Sequence, residues 1–287
     1  MFPTGLIRLC CEKSKKDANK KSKVAQKALA CLYTQCQNRP VIRRLFSALT
    51  LVLSGLQAQP AQAQLDSSVR QIIVAQSAGW DSTTAQLQCF QRASGRAAWQ
   101  PFFKNPVPVL LGRSGLAWGR GVFPPPNNGI PWKVEKDWKA PAGVFQLGKL
   151  FGYAASPPRG TRWPYTQVGP YDAFVDDPQS RYYNQHVRVD PANIPPWFEK
   201  QRMRLGDAAY KWMLEIRHNP APAAPGYGSA IFFHVRRGPT KPSAGCTTMA
   251  VENLEAMIRW VDPTASPHYV LLPKGDYAAL RGAWGLP

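Results

Sequence analysis

Short apolar runs separated by turn residues dominate the chain, and their alternation predicts strands more often than helices. Residues 69–76 (VRQIIVAQ) and 86–92 (QLQCFQR) read as strands, with Leu87 and Cys89 on one face of the second. The polar stretch 79–84 between them predicts a hairpin. Residues 106–111 (PVPVLL) form a further apolar run that stops at a Gly-Arg-Ser-Gly turn. Residues 139–148 (KAPAGVFQLG) read as a turn feeding a strand. The stretch 202–217 fits a helix with Met203, Ala208, Trp212, Leu214 and Ile216 on its apolar side, or a helix that passes into a strand near Trp212. Residues 229–235 (SAIFFHV) predict a strand in which Ile231, Phe233 and Val235 face one way, and Ala230, Phe232 and His234 the other. Residues 250–261 predict a helix, with Val251, Leu254, Ile258 and Val261 in one stripe. Thr247 or Thr248 is expected to cap its start and Asp262-Pro263 to end it. Residues 268–273 (HYVLLP) predict a last strand. Many strands and few helices give a mainly β fold with short helices, in the α+β class.

Composition agrees with this. The 28 prolines and 22 glycines among 287 residues suit short strands and many turns rather than a helical bundle. The formal charge of +19 is unevenly spread: +9 falls before residue 64 and +10 after it. A basic surface favours anionic partners such as acidic wall polymer, anionic lipid or nucleic acid. No nucleic-acid motif is present.

Residues 41–63 read as an export signal: Arg43 and Arg44, an apolar run over 45–56, and an Ala61-Gln62-Ala63 cleavage site that leaves Gln64 first. Residues 1–40 are a basic extension with Cys10, Cys11, Cys31 and Cys36, a spacing that matches no standard zinc pattern. Translation is expected to start at Val41. The mature part, 64–287, is expected to lie in the periplasm or cell wall, with no stable membrane span. It keeps two cysteines, Cys89 and Cys246, able to pair with each other or to leave one thiol free for chemistry. Cys89, on the apolar face of a strand, reads as a small buried hydrophobe.

Chemistry concentrates around Cys246. Gly245 permits a sharp turn beside it. The predicted helix just after it would favour a thiolate and offer N–H groups to an oxyanion. His234 stands 12 residues earlier, at the end of a strand that a loop through Gly238-Pro239-Thr240 can return alongside. Within hydrogen-bond reach, His and Cys form a base and a nucleophile. The remaining histidines, His186, His218 and His268, show no metal-ligand spacing, and no metal or cofactor is expected. Asp176 and Asp177 read as turn caps before Pro178 or as partners of Arg181. The tryptophans, including Trp118, Trp132, Trp138 and Trp163, read as core or as sugar-stacking groups.

The segment from His234 to Ser243-Ala244-Gly245-Cys246 resembles the catalytic signature of the L,D-transpeptidase (YkuD-type) family. The run 139–148 and Val175-Asp176-Asp177-Pro178 with Tyr183-Asn184 are similar to further segments of it. Ala244 stands where many members have His, and Thr248 where many have Arg. The resemblance implies a YkuD-like mixed β-sandwich with Cys246 on a loop before a helix. It implies a thioester acyl-enzyme on Cys246 with His234 as base, supported by Gly245 and Ser243, and with the N–H groups of Gly245 and Cys246 as candidate oxyanion donors. Arg236, Arg237, Thr247 and Thr248 are the expected substrate-binding residues. The implied substrates are peptidoglycan stem peptides, joined by an amine acceptor. An L,D-carboxypeptidase or amidase using water and an inactive wall-binding module are the alternatives.

Overall fold

A computed structural model describes residues 64–287; the expected export signal and basic extension lie outside them. The hairpin comes first, β1 (Gln71–Ser77) pairing antiparallel with β2 (Thr84–Gln91). Next come β3 (Gln100–Pro101), β4 (Val107–Leu110), β5 (Leu116–Trp118) and the long β6 (Ala140–Gly152). The excursion after β6 holds β7 (Tyr165–Gln167), the hairpin β8 (Asp172–Phe174) with β9 (His186–Arg188), and the short α1 (Phe198–Gln201). The last third contains β10 (Met213–Ile216), β11 (Phe232–Val235), β12 (Thr247–Met249), α2 (Val251–Trp260), β13 (His268–Pro273) and α3 (Lys274–Trp284).

The strands follow the order β1-β13-β6-β10-β11-β12-β4-β2, and pairing of β2 with β1 closes the path. The sheet is therefore barrel-like, and closure removes the free edges that an open sheet would expose to other chains. Inward residues of the strands form the main core: Ile73, Leu87, Val144, Phe145, Leu150, Leu214, Phe233 and Leu271 are all fully buried. Helices α2 and α3 join this core through Leu254, Met257, Ile258, Tyr277 and Trp284.

Alternation along β11 is as the sequence predicts. Ile231, Phe233 and Val235 enter the main core. Phe232 faces outward into a second cluster with Phe151, Val168, Phe174, Met203, Met213 and Cys246. The excursion between β6 and β10 supplies Val168, Phe174 and Met203, and so covers one outer patch of the barrel. An ion cluster around a buried carboxylate ties that excursion together: Asp172, fully buried, accepts from the exposed Arg188 (Nη2, 3.0 Å) and meets His186 Nε2 at 2.7 Å. Burial alone would raise the Asp172 carboxyl, but the bonds from Arg188, the Gly169 N–H and His186 outweigh it and hold the pKa below the usual value.

Of the two readings of 202–217, the continuous helix does not form and the passage into a strand near Trp212 does: a 3-10 turn over Ala208–Tyr210 leads into β10, which begins at Met213. The apolar residues of this stretch divide between two cores, Met203 and Met213 outside the barrel and Trp212, Leu214 and Ile216 in the main core, so no single helical stripe exists. Neither Thr247 nor Thr248 caps α2. Both lie in β12, and Ala250 occupies the cap position with no side-chain cap bond.

Candidate active site

The nucleophile candidate and the imidazole reach one surface because β11 and β12 run parallel. Phe233 pairs with Thr247 and His234 with Thr248. The row continues through Met213 to Phe151 on one side and to Leu110 on the other. Paired residues project to the same side of a sheet, so His234 and Thr248 share the outer face. Cys246 stands two positions before Thr248 and packs with Phe232 on that face. The 236–246 connection that returns the chain is pinned to the β4 end: Ser243 N–H donates to Leu111 O (2.8 Å) and Arg113 N–H to Ser243 O (2.9 Å).

Ser243 shapes the turn itself. Its hydroxyl donates to Cys246 O at 2.5 Å and accepts from Gly245 N–H at 3.0 Å. Gly245 takes φ +146°, a value that L side chains rarely adopt, and a Cβ there would lie 2.9 Å from Lys139 O. The Gly245 N–H is thus already engaged, which removes it from the expected oxyanion donors.

Cys246 is 7% exposed, and its thiol points toward Ala230 O at 3.6 Å. Burial pushes its pKa up to about 11, against the pull of the Phe232 N–H and the positive charges of Lys133 and Arg237. The expected thiolate at a helix mouth does not form, because β12 intervenes before α2 begins at Val251. Cys89 is buried on β2, as its strand pattern suggested, and among the described residues Cys89 and Cys246 are both free thiols.

His234 is 2% exposed. Its Nδ1 lies 2.8 Å from Val235 O. A carbonyl only accepts, so Nδ1 carries the proton and Nε2 keeps a lone pair. Burial lowers its pKa to about 4. The resting pair is therefore a neutral thiol and a neutral imidazole. Among the described residues no hydrogen bond joins them; the thiol leans toward Ala230, at the opposite end of β11 from His234.

Tyr210 and Asp207 flank the site without having stood out in the sequence. The Tyr210 ring meets the His234 ring edge-on at 5.1 Å. Arg237 reaches over Tyr210 and donates to Asp207 Oδ2 at 2.7 Å, so this expected substrate binder is already paired. Arg236 is half-buried beyond β11, and its side chain makes no hydrogen bond or ion pair with the described residues. Thr247 turns inward, its hydroxyl 2.8 Å from Tyr269 OH, which takes it away from the face where substrate would bind. Thr248 does share the His234 face, and its buried hydroxyl has no partner among the described residues.

The Tyr183-Asn184 pair braces the site. Asn184 accepts from Ala230 N–H (3.0 Å) and donates to His218 O and Asn219 O, which fixes the carbonyl that meets the thiol. Tyr183 OH and Ser229 Oγ both donate to Glu135. Asp177 caps the turn by accepting from Gln179 N–H at 3.0 Å, while Arg181 donates to Tyr182 OH. His186 lines a cavity of about 390 Å³ with Glu215, Arg217 and His218. That cavity touches neither Cys246 nor His234, although it shares Phe151 and Phe174 with the cluster around the thiol. Trp118 is buried; Trp132 and Trp138 are about two-fifths exposed.

A thiol and a neutral imidazole on one outer face of a closed, mainly β sheet, with a turn held by Ser243, are the parts an acyl-transfer site needs. No curated protein and no solved structure matches the chain. The family model of the L,D-transpeptidase catalytic domain matches residues 83–270, from β2 into β13, and takes in every residue of the candidate site. With more than half of its length so matched, the chain belongs to the L,D-transpeptidase catalytic domain family.

Proposed function

We propose that the protein is a cysteine-dependent L,D-transpeptidase that acts on peptidoglycan stem peptides through a thioester on Cys246. The observation that carries the proposal is the free Nε2 lone pair of His234 on the same outer face as the Cys246 thiol. In this reading Sγ turns from Ala230 O toward the imidazole when substrate binds. It attacks the carbonyl between the L-centre of a diamino acid and a terminal D-alanine. The thiol proton passes to His234 Nε2, the S–C bond forms, and collapse of the tetrahedral intermediate breaks the C–N bond. D-alanine leaves with the proton from Nε2. A side-chain amine of a second stem then attacks the thioester, gives its proton to Nε2, and restores the thiol as the new amide forms.

With the Gly245 N–H held by Ser243, the Cys246 N–H is the remaining candidate oxyanion donor. Thr248, with its unpartnered hydroxyl beside His234, is the substrate-binding candidate the arrangement favours. Residues 64–287 form the catalytic part, and residues 41–63 direct it to the periplasm or wall. Among the described residues no helix is long and apolar enough to cross a membrane.

The test is incubation of the purified protein with tetrapeptide muropeptides and mass analysis of the products. Wild type should give cross-linked dimers and free D-alanine. Cys246→Ala should lose more than about 10³-fold in rate, and His234→Ala should be similarly impaired. Tripeptide without dimers would instead identify a carboxypeptidase. Equal processing by wild type and Cys246→Ala would defeat the thioester reading.

A further inference from the structure

The loop between β5 and β6 buries a cation beside the nucleophile. Lys133 is 3% exposed and, among the described residues, is the only Lys or Arg that is buried. Its Nζ donates to Asp137 Oδ1 at 2.7 Å and to Val134 O at 3.4 Å. The side chain runs past two glycines with positive φ. A Cβ on Gly228 would lie 2.8 Å from Lys133 Cε, and one on Gly245 would lie 3.6 Å from Lys133 Nζ. The ammonium therefore ends against the turn that carries Cys246.

The loop is folded around this pair. The Asp137 carboxylate also accepts from Val134 N–H and Lys139 N–H, each at 2.9 Å. The residues on either side of Asp137, Lys136 and Trp138, both take φ +61°, a conformation that costs about 1 kcal/mol or more per non-glycine residue. Burying an ion pair is a poor route to stability, since apolar residues of similar shape usually do as well. A strained loop that buries a lysine next to a thiol is better explained by what the charge does to that thiol. The other positive charge that favours the Cys246 thiolate, Arg237, is held by Asp207 and Tyr210.

We propose that Lys133 is a positioning residue for the nucleophile: its ammonium, fixed by Asp137, sets the Gly245–Cys246 turn and favours the thiolate over the thiol. The proposal rests on Cys246 being the nucleophile, but its test does not depend on turnover. The rate of iodoacetamide alkylation is followed against pH in the full chain, with the Cys246 peptide resolved by mass spectrometry and Cys89 as internal control.

Lys133→Met should slow Cys246 alkylation at pH 8 by about tenfold, corresponding to a one-unit rise in pKa. Lys133→Arg should recover part of the loss, and Cys89 should not respond. Asp137→Asn, which keeps the ammonium and removes its counter-charge, should speed alkylation of Cys246. A Lys133→Met protein that melts cooperatively with an unchanged Cys246 profile overturns the proposal. So does an Asp137→Asn protein whose Cys246 reacts no faster, should the Met variant fail to fold. If alkylation shifts as expected while muropeptides remain unprocessed, the transpeptidase reading fails and the role of Lys133 stands.

Discussion

At the residue scale, the site rests in its uncharged form, and geometry explains why. Burial holds the Cys246 thiol up at about 11 and the His234 imidazole down at about 4. Each group would have to charge in a place with little water, so the neutral thiol and neutral imidazole are the favoured pair. Gly245 has little room for change. A methyl group there would press on Lys139 O at φ +146°, so Gly245→Ala should cost about 1–3 kcal/mol and suppress muropeptide turnover more strongly than it lowers Tm. Thermal melts beside turnover measurements check this, and wild-type turnover in a folded Gly245→Ala protein would contradict it. The residues around Cys246 were legible because a small turn-former next to a thiol is a local pattern. Tyr210 and Asp207 were not, because nothing local marks a side chain whose partner stands tens of residues away; Lys133 pairs locally with Asp137, but the Gly245 turn it ends against is far along the chain.

At the element scale, the period-2 pattern was the strongest guide. It gave β13 at its observed limits, the β1–β2 hairpin, and the two faces of β11. Over 202–217, where side chains serve two cores, it left a helix and a passage into a strand near Trp212 both open, and the strand is the one that forms. It also missed α3, whose Gly275 and Gly282 weaken its helical pattern, yet which docks through Tyr277 and Trp284. The expected cap at Thr247 or Thr248 failed because β12 uses those residues to pair with β11 before the chain turns helical. Helix α2 was legible from its stripe, and its packing gives a direct test. Leu254 is fully buried in the main core, so Leu254→Ala should destabilise the protein by about 2–5 kcal/mol and lower Tm, while Cys246 alkylation in the folded protein changes little. A denaturant titration measures the loss.

At the scale of the whole molecule, closure of the sheet decides both stability and the site. Both faces of β1 and β13 enter the main core, and the excursion between β6 and β10 covers the outer patch where Cys246 lies. Three histidines sit in these interiors with pKa values lowered chiefly by burial, His218 to about 3 and His234 to about 4, and His268 in the same direction. In the unfolded chain they titrate near 6.5. Between that value and the folded ones the unfolded state binds more protons, so stability rises with pH there. Their contribution is fully present above pH ~6.5 and is lost as pH falls through about 4 and then about 3. Melting temperature measured from pH 7 down to pH 3 should decline across this window, and a flat profile would contradict the burial of neutral imidazoles. What the sequence determined by itself was local: strand period, turn chemistry, a stretch that ends in Ser-Ala-Gly-Cys, and the alternation that sets His234 opposite Phe233. Only the tertiary structure decided that β11 and β12 lie parallel, that Thr247 turns inward while Thr248 stays beside the imidazole, and that Lys133 ends against Gly245. Those outcomes depend on which strands meet when the sheet closes, and strand partners far apart in the chain leave no mark in the spacing of either one.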